Sequence, residues 1–156
     1  MIQRKQSLFL LAAVIAYLIC LFMPVAVILP KGMGEEVLVH NLGTVSGMGG
    51  LSFEATCLPL FLFLAVSAVM AAAAIFLYKN RKQQMALCSI IILFSMIWYA
   101  DYALMVSGMV GLPNVEGTYQ VKWAACLPLV AIILVAMARK GVSDDEKLVR
   151  AADRIR

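Results

Sequence analysis

The sequence predicts an all-α membrane protein: a four-transmembrane-helix bundle with a candidate small β element in its outer loops and a short cytoplasmic C-terminal helix. Three observations predict it. Of 156 residues, 63% are apolar and 14% charged, with a mean hydropathy of +0.93. Soluble domains are nearer half apolar and a quarter charged. Four long apolar runs interrupt the chain, and its basic residues gather at alternate ends of those runs. A water-exposed enzyme of this size has no interior able to hide so much apolar surface, and disorder needs the opposite composition. One membrane domain over residues 1–156 is expected, with outer loops at 30–56 and 108–122.

The first span is placed at 8–29, a run without a charge. Its basic start imitates a signal peptide. The run is longer than the roughly 7–15 residues of a signal core, and no small-x-small site follows it, since Phe22-Met23-Pro24 and Ile28-Leu29-Pro30 are poor cleavage contexts. It reads as an uncleaved span whose outer third is kinked by Pro24. In the first outer loop, Val37-Leu38-Val39 is β-prone and glycines follow at 43, 47, 49 and 50. The second span is placed at 57–78, with Pro59 in its first turn, where a missing N–H costs little. Ala65, Ser67, Ala68 and Ala71 to Ala74 make it small-sided. Such a face suits close packing inside the bundle or against another protein.

The third span, at about 85–107, carries Asp101. The second outer loop holds another candidate strand, Thr118-Tyr119-Gln120-Val121. Two readings stand for the loops: a small sheet paired across them, or two irregular glycine-rich connections. Trp98, Tyr99, Tyr102, Tyr119 and Trp123 fall near the outer boundary and read as an aromatic belt. The fourth span, at 123–138, is short for a core needing roughly 20 helical residues, so Arg139 and Lys140 are expected to snorkel. The tail, 139–156, reads as a separate short helix opened by a Ser143–Glu146 capping box. On it Leu148, Ala152 and Ile155 form an apolar stripe beside Arg150 and Arg154. These five residues are candidate docking positions, on anionic lipid or on a partner.

Charge sets the sidedness. Eleven of the 13 Lys and Arg lie before span one, between spans two and three, or after span four, and only Lys31 and Lys122 lie on the other side. The positive-inside rule puts both termini in the cytoplasm, and topology accounts for the basic excess without nucleic acid.

Three local matches relate the two halves: Arg4-Lys5-Gln6 with Arg81-Lys82-Gln83, Val45 to Leu51 with Val106 to Leu112, and Cys57-Leu58-Pro59-Leu60 with Cys126-Leu127-Pro128-Leu129. Their offsets of 77, 61 and 69 differ, so a parallel repeat and chance in a biased composition both remain open.

Asp101 is the one acid or base inside a span, about six residues and roughly 9 Å below its outer end. With Tyr99 and Tyr102 it forms the candidate intramembrane polar site. Three roles are open: an acid hydrogen-bonded by those tyrosines or paired with Lys122, a contact to a partner subunit, or a proton or cation site. The four cysteines make no CxxC pair and read as small buried thiols. Cys57 and Cys126 share the outer depth, and His40 beside Glu35 and Glu36 makes a weak metal case. No cofactor, metal or catalytic group is expected, and the protein is read as not an enzyme.

The start, Met1-Ile2-Gln3-Arg4-Lys5-Gln6-Ser7-Leu8, and the ending, Asp145-Glu146-Lys147-Leu148-Val149-Arg150-Ala151-Ala152-Asp153-Arg154-Ile155-Arg156, resemble an uncharacterised family of four-span inner-membrane proteins from Bacteroidota. That resemblance implies an architecture and a periplasmic outer side, and brings no catalytic residues. The layout is also similar to claudin-type bundles, as architecture alone, without their tryptophan–cysteine loop signature. The function expected is that of a non-enzymatic accessory or scaffold subunit of a larger inner-membrane complex, such as one for protein export or respiration. Its expected partners are lipid and other membrane subunits or further copies of itself. The alternative is a small transporter or ion-conducting oligomer using Asp101.

Overall fold

Residues 3–30, 35–47, 50–77, 80–109 and 117–153 are described by the structure, a computed structural model. Helix α1 spans Gln3–Phe22 and strand β1 Ala26–Pro30. Strands β2 (Val37–His40), β3 (Gly43–Ser46) and β4 (Ser52–Phe53) follow. A 3₁₀ turn, Ala55–Cys57, leads into α2, Leu58–Phe76. Helix α3 is Arg81–Val106 and strand β5 Gly117–Val121. A second 3₁₀ turn, Trp123–Cys126, leads into α4, Leu127–Asp153.

The first apolar run is therefore not one helix. The last α-type bond of α1 runs from Met23 N to Ile19 O, at 3.0 Å. Pro24 has no N–H to continue the ladder and biases the preceding residue away from helix. It ends the helix instead of kinking it, and the β-branched Val27 and Ile28 leave as a strand. The span expected at 8–29 is corrected to a helix ending at Phe22.

The strands form one antiparallel sheet in the order β4-β3-β2-β1-β5. Of the two readings of the loops, the paired sheet is the one found. Strand β1 is its hinge, with Ile28 opposite Val37 of β2 and opposite Tyr119 of β5. Residues from the two outer loops thus share one ladder. Gly43 is required by close approach, because a Cβ there would collide with the Ser52 carbonyl.

The four helices form a ring in which each packs on its sequence neighbours and α4 closes onto α1. Inward positions recur at helical spacing: Leu10, Ala13, Tyr17 and Cys20 on α1; Leu64, Ser67, Ala68, Ala71 and Ala74 on α2. Cys88, Ile91, Ser95 and Trp98 on α3 and Ala131, Val135, Ala138 and Val142 on α4 complete the interior. The small residues of α2 line an internal seam, which lets helix axes approach. Leu60 and Leu64 of α2 are buried with them, while other large apolar side chains point outward; Val69 is 69% and Phe76 80% exposed. Three described stretches, Ala55–Phe76, Arg81–Val106 and Trp123–Val149, are long and apolar enough to cross a membrane, while the apolar part of α1, Gln6–Phe22, is shorter.

At the end of the ring opposite the sheet lie the start of α1 and the end of α4. There α4 runs unbroken through Gly141 and Ser143, so the short fourth span and the separately capped tail helix are both corrected. Tertiary contacts override the local stop signals. Gln6 packs where a Cβ of residue 141 would lie, and its Nε2 donates to Asp145 Oδ2 at 2.7 Å. Arg81 donates to the Asp145 carbonyl at 3.5 Å, and buried Gln84 donates to Ala74 O in the last turn of α2 at 3.1 Å.

The third internal match has a structural counterpart. Cys57-Leu58-Pro59-Leu60 and Cys126-Leu127-Pro128-Leu129 both join a 3₁₀ turn to the first turn of a helix. Each follows a strand at one edge of the sheet, β4 or β5.

Candidate functional site

The densest polar arrangement lies where the bundle meets the sheet, and it begins with Pro24. The carbonyl of Cys20 would accept from the amide of residue 24, which a proline lacks. Asn41, wholly buried in the turn between β2 and β3, supplies the missing donor: its Nδ2 reaches Cys20 O at 2.7 Å. Its Oδ1 accepts from Trp98 Nε1 at 3.2 Å. Trp98 stacks on Tyr102, with ring centroids 5.2 Å apart and planes 5° from parallel. Tyr102 in turn donates to Val25 O at 2.9 Å. That carbonyl also accepts from Lys122 N at 3.0 Å, next to β5.

Tyr99 performs a matching service for α4. Its hydroxyl donates to Ala125 O at 2.7 Å and accepts from Leu129 N at 2.9 Å, one of the first-turn amides that have no helical partner. Lower in the bundle, Ser95 donates to Ile91 O at 3.0 Å. A hydroxyl has one proton, so Tyr17 is the donor in the 2.7 Å contact between its hydroxyl and Ser95 Oγ.

The predicted trio is not brought together. Tyr99 and Tyr102 spend their hydroxyls on backbone groups, and neither bonds Asp101. Asp101 Oδ2 is buried without a hydrogen-bond partner, and no ion pair joins it to Lys122. The aromatic-belt reading fails for Trp98 and Tyr102, which are buried, and suits Trp123, which is 62% exposed. Tyr119 is half-buried, with a hydroxyl that also lacks a partner.

All four cysteines are free. Cys20, Cys57 and Cys88 are buried thiols, while Cys126 is exposed, which corrects its expected burial. It lines an apolar groove of about 700 Å³ between α3 and the start of α4, with Met96, Tyr99, Val106 and Leu129. His40 is half-buried in β2, and no metal-binding group of three His, Cys, Asp or Glu occurs among the described residues.

The tail candidates divide. Leu148 is 63% exposed near the end of α4. Arg150 and Ala152 lie on the same helix, and Arg154 and Ile155 lie outside the described residues. Sequence reasoning missed Asn41, Gln6 and Gln84. The available signal for Asn41 was the proline four residues after Cys20, which leaves a carbonyl needing an outside donor.

A closely packed ring under a two-loop sheet, with its buried polar groups used as internal ties except at Asp101 Oδ2 and the Tyr119 hydroxyl, describes an architecture without naming a chemistry. No curated protein matches the chain. A family model described as a domain of unknown function, DUF4293, matches residues 2–155. With nearly the whole chain matched, the protein belongs to the DUF4293 family.

Proposed function

We propose that this protein is an integral membrane protein of four membrane-crossing helices, both ends in the cytoplasm of a bacterium, acting as a non-enzymatic accessory or scaffold subunit of a larger inner-membrane assembly. The girdle of exposed Leu, Ile, Val, Met and Phe around the ring supports the membrane reading, because contiguous apolar surface of that extent is unfavourable in water. The apolar part of α1, Gln6–Phe22, rises about 25 Å, somewhat short of a hydrocarbon core of about 30 Å, so a local thinning of the bilayer would seat it. Arg81, Lys82, Arg139, Lys140 and Lys147 at the terminal end support its orientation.

The observation that carries the subunit reading is the far end of α4. It continues past its last ties to Gln6 and Arg81 and presents Leu148 and Val149, 63% and 45% exposed, on an otherwise charged rod. Such a segment gains from docking. Cross-linking within native membranes should yield a stoichiometric protein partner at residues 146–153, lost in Leu148→Glu while Asp101→Asn retains it. A wild-type chain that emerges without any cross-linked subunit refutes this reading. Ion flux in proteoliposomes abolished by Asp101→Asn transfers support to a transporter, for which the unpartnered Asp101 Oδ2 is the specific observation.

A further inference from the structure

Helices α3 and α4 part at the terminal end and leave a cleft of about 330 Å³. Its lining changes character with depth. Arg81 of α3 sits beside Asp145 of α4 and Tyr99 beside Leu129, so the two helices run in opposite directions; Met85 lies level with Lys140, and Ile92 lies deeper, level with Ala136. Ala136 faces them from α4. Toward the mouth the same wall carries Arg139, Lys140 and Lys147. From Ala136 to Lys147 the wall rises about 16 Å at helical pitch.

The charges at the mouth do not cancel. Asp144 is the one carboxylate in the lining, and it already accepts from Lys147 at 3.4 Å. No ion pair to a described residue neutralises Arg139 or Lys140. A cationic mouth above an apolar floor complements a molecule with an anionic head and a hydrocarbon body. Arg139 offers a planar fork for phosphate oxygens, and the two lysines offer compact point charges. Basic pockets between membrane helices on the cytoplasmic side suit anionic head groups.

We infer that this cleft is a binding site for one anionic phospholipid, its phosphate held by Arg139, Lys140 and Lys147 and an acyl chain laid along Met85, Ile92 and Ala136. The inference rests on the membrane reading above but is independent of the subunit reading. It gives Arg139 and Lys140 a ligand as well as a boundary.

The test uses the full chain, reconstituted in vesicles of phosphatidylglycerol and phosphatidylcholine with matched acyl chains. Flotation reports incorporation, and native mass spectrometry after gentle extraction reports the lipid retained. The expected result is one phosphatidylglycerol held in preference to phosphatidylcholine, with the preference reduced on the order of 100-fold in R139Q/K140Q/K147Q. Equal retention of the two lipids, or an unchanged preference in the triple variant, overturns the site. Complete displacement by millimolar inorganic phosphate also overturns it, in favour of a free-anion site. Failure of the wild-type chain to float with vesicles overturns the membrane reading itself, which separates the two failures. Should the triple variant not incorporate, Asp144→Lys tests the same claim with the opposite sign: retention rises with the added cation, and unchanged retention overturns the site.

Discussion

Asn41 ties three segments that are far apart in sequence: the end of α1, the β2–β3 turn and the middle of α3. Its replacement by leucine leaves a buried carbonyl and a buried indole N–H without partners. At about 1–3 kcal/mol for each such group, Asn41→Leu should destabilise by about 2–4 kcal/mol. The check is an apparent melting temperature in detergent, together with Trp98 emission in a Trp123→Phe background, which should shift to the red. Asp101 makes the opposite case. Its Oδ2 forms no bond that substitution can remove, so Asp101→Asn should leave the melting temperature equal to or above the wild-type value. A fall of several degrees reveals a bond that the geometry does not contain. Asn41 was illegible because an asparagine in a glycine-rich loop reads as a turn former. Trp98 was misread for a related reason. Distance along an apolar run gives depth, but the face it occupies depends on which neighbours the helix acquires. Its spacing from Cys88, Ile91 and Ser95 is the internal one.

Among the elements, strands near 37–39 and 118–121 and the cores of α2 and α3 were legible from composition and turn residues. Strand β1 was not. It lies in the same charge-free run as α1, and only Pro24 marks the change of period. The continuity of α4 was hidden by Gly141 and Ser143, a local stop overridden by Gln6 and Arg81 reaching Asp145. Two tests belong at this scale. Leu29 and Thr118 face each other across β1 and β5, so Leu29→Cys with Thr118→Cys, in a chain whose native cysteines are serines, should cross-link on mild oxidation. No cross-link in the folded protein contradicts the register. In the native chain, a small maleimide should modify Cys126 rapidly and Cys20, Cys57 and Cys88 only after unfolding, counted by mass. The second pattern also confirms that no disulfide protects a pair.

At the scale of the whole molecule, alanines, hydrogen-bonded residues and a few large side chains such as Leu10, Leu64 and Ile91 fill the centre, and many more large hydrocarbon side chains cover the outside. That inversion relative to a soluble domain was already implied by the 63% apolar composition. What composition left open was the closure of the ring, since nothing in four apolar runs says that α4 returns to α1. A partial replacement of the girdle, such as Val69→Lys with Phe76→Lys, should impair vesicle incorporation while a matched pair of exposed tail changes does not. Flotation reads both.

The pairing of β1 with β5 also has a temporal meaning. A ribosome delivers residues 26–30 long before 117–121, so one margin of the nascent ladder waits bare until the final hairpin crosses. Two polypeptides divided near residue 79 would each carry half of that seam, and their reunion in a living membrane would depend on it.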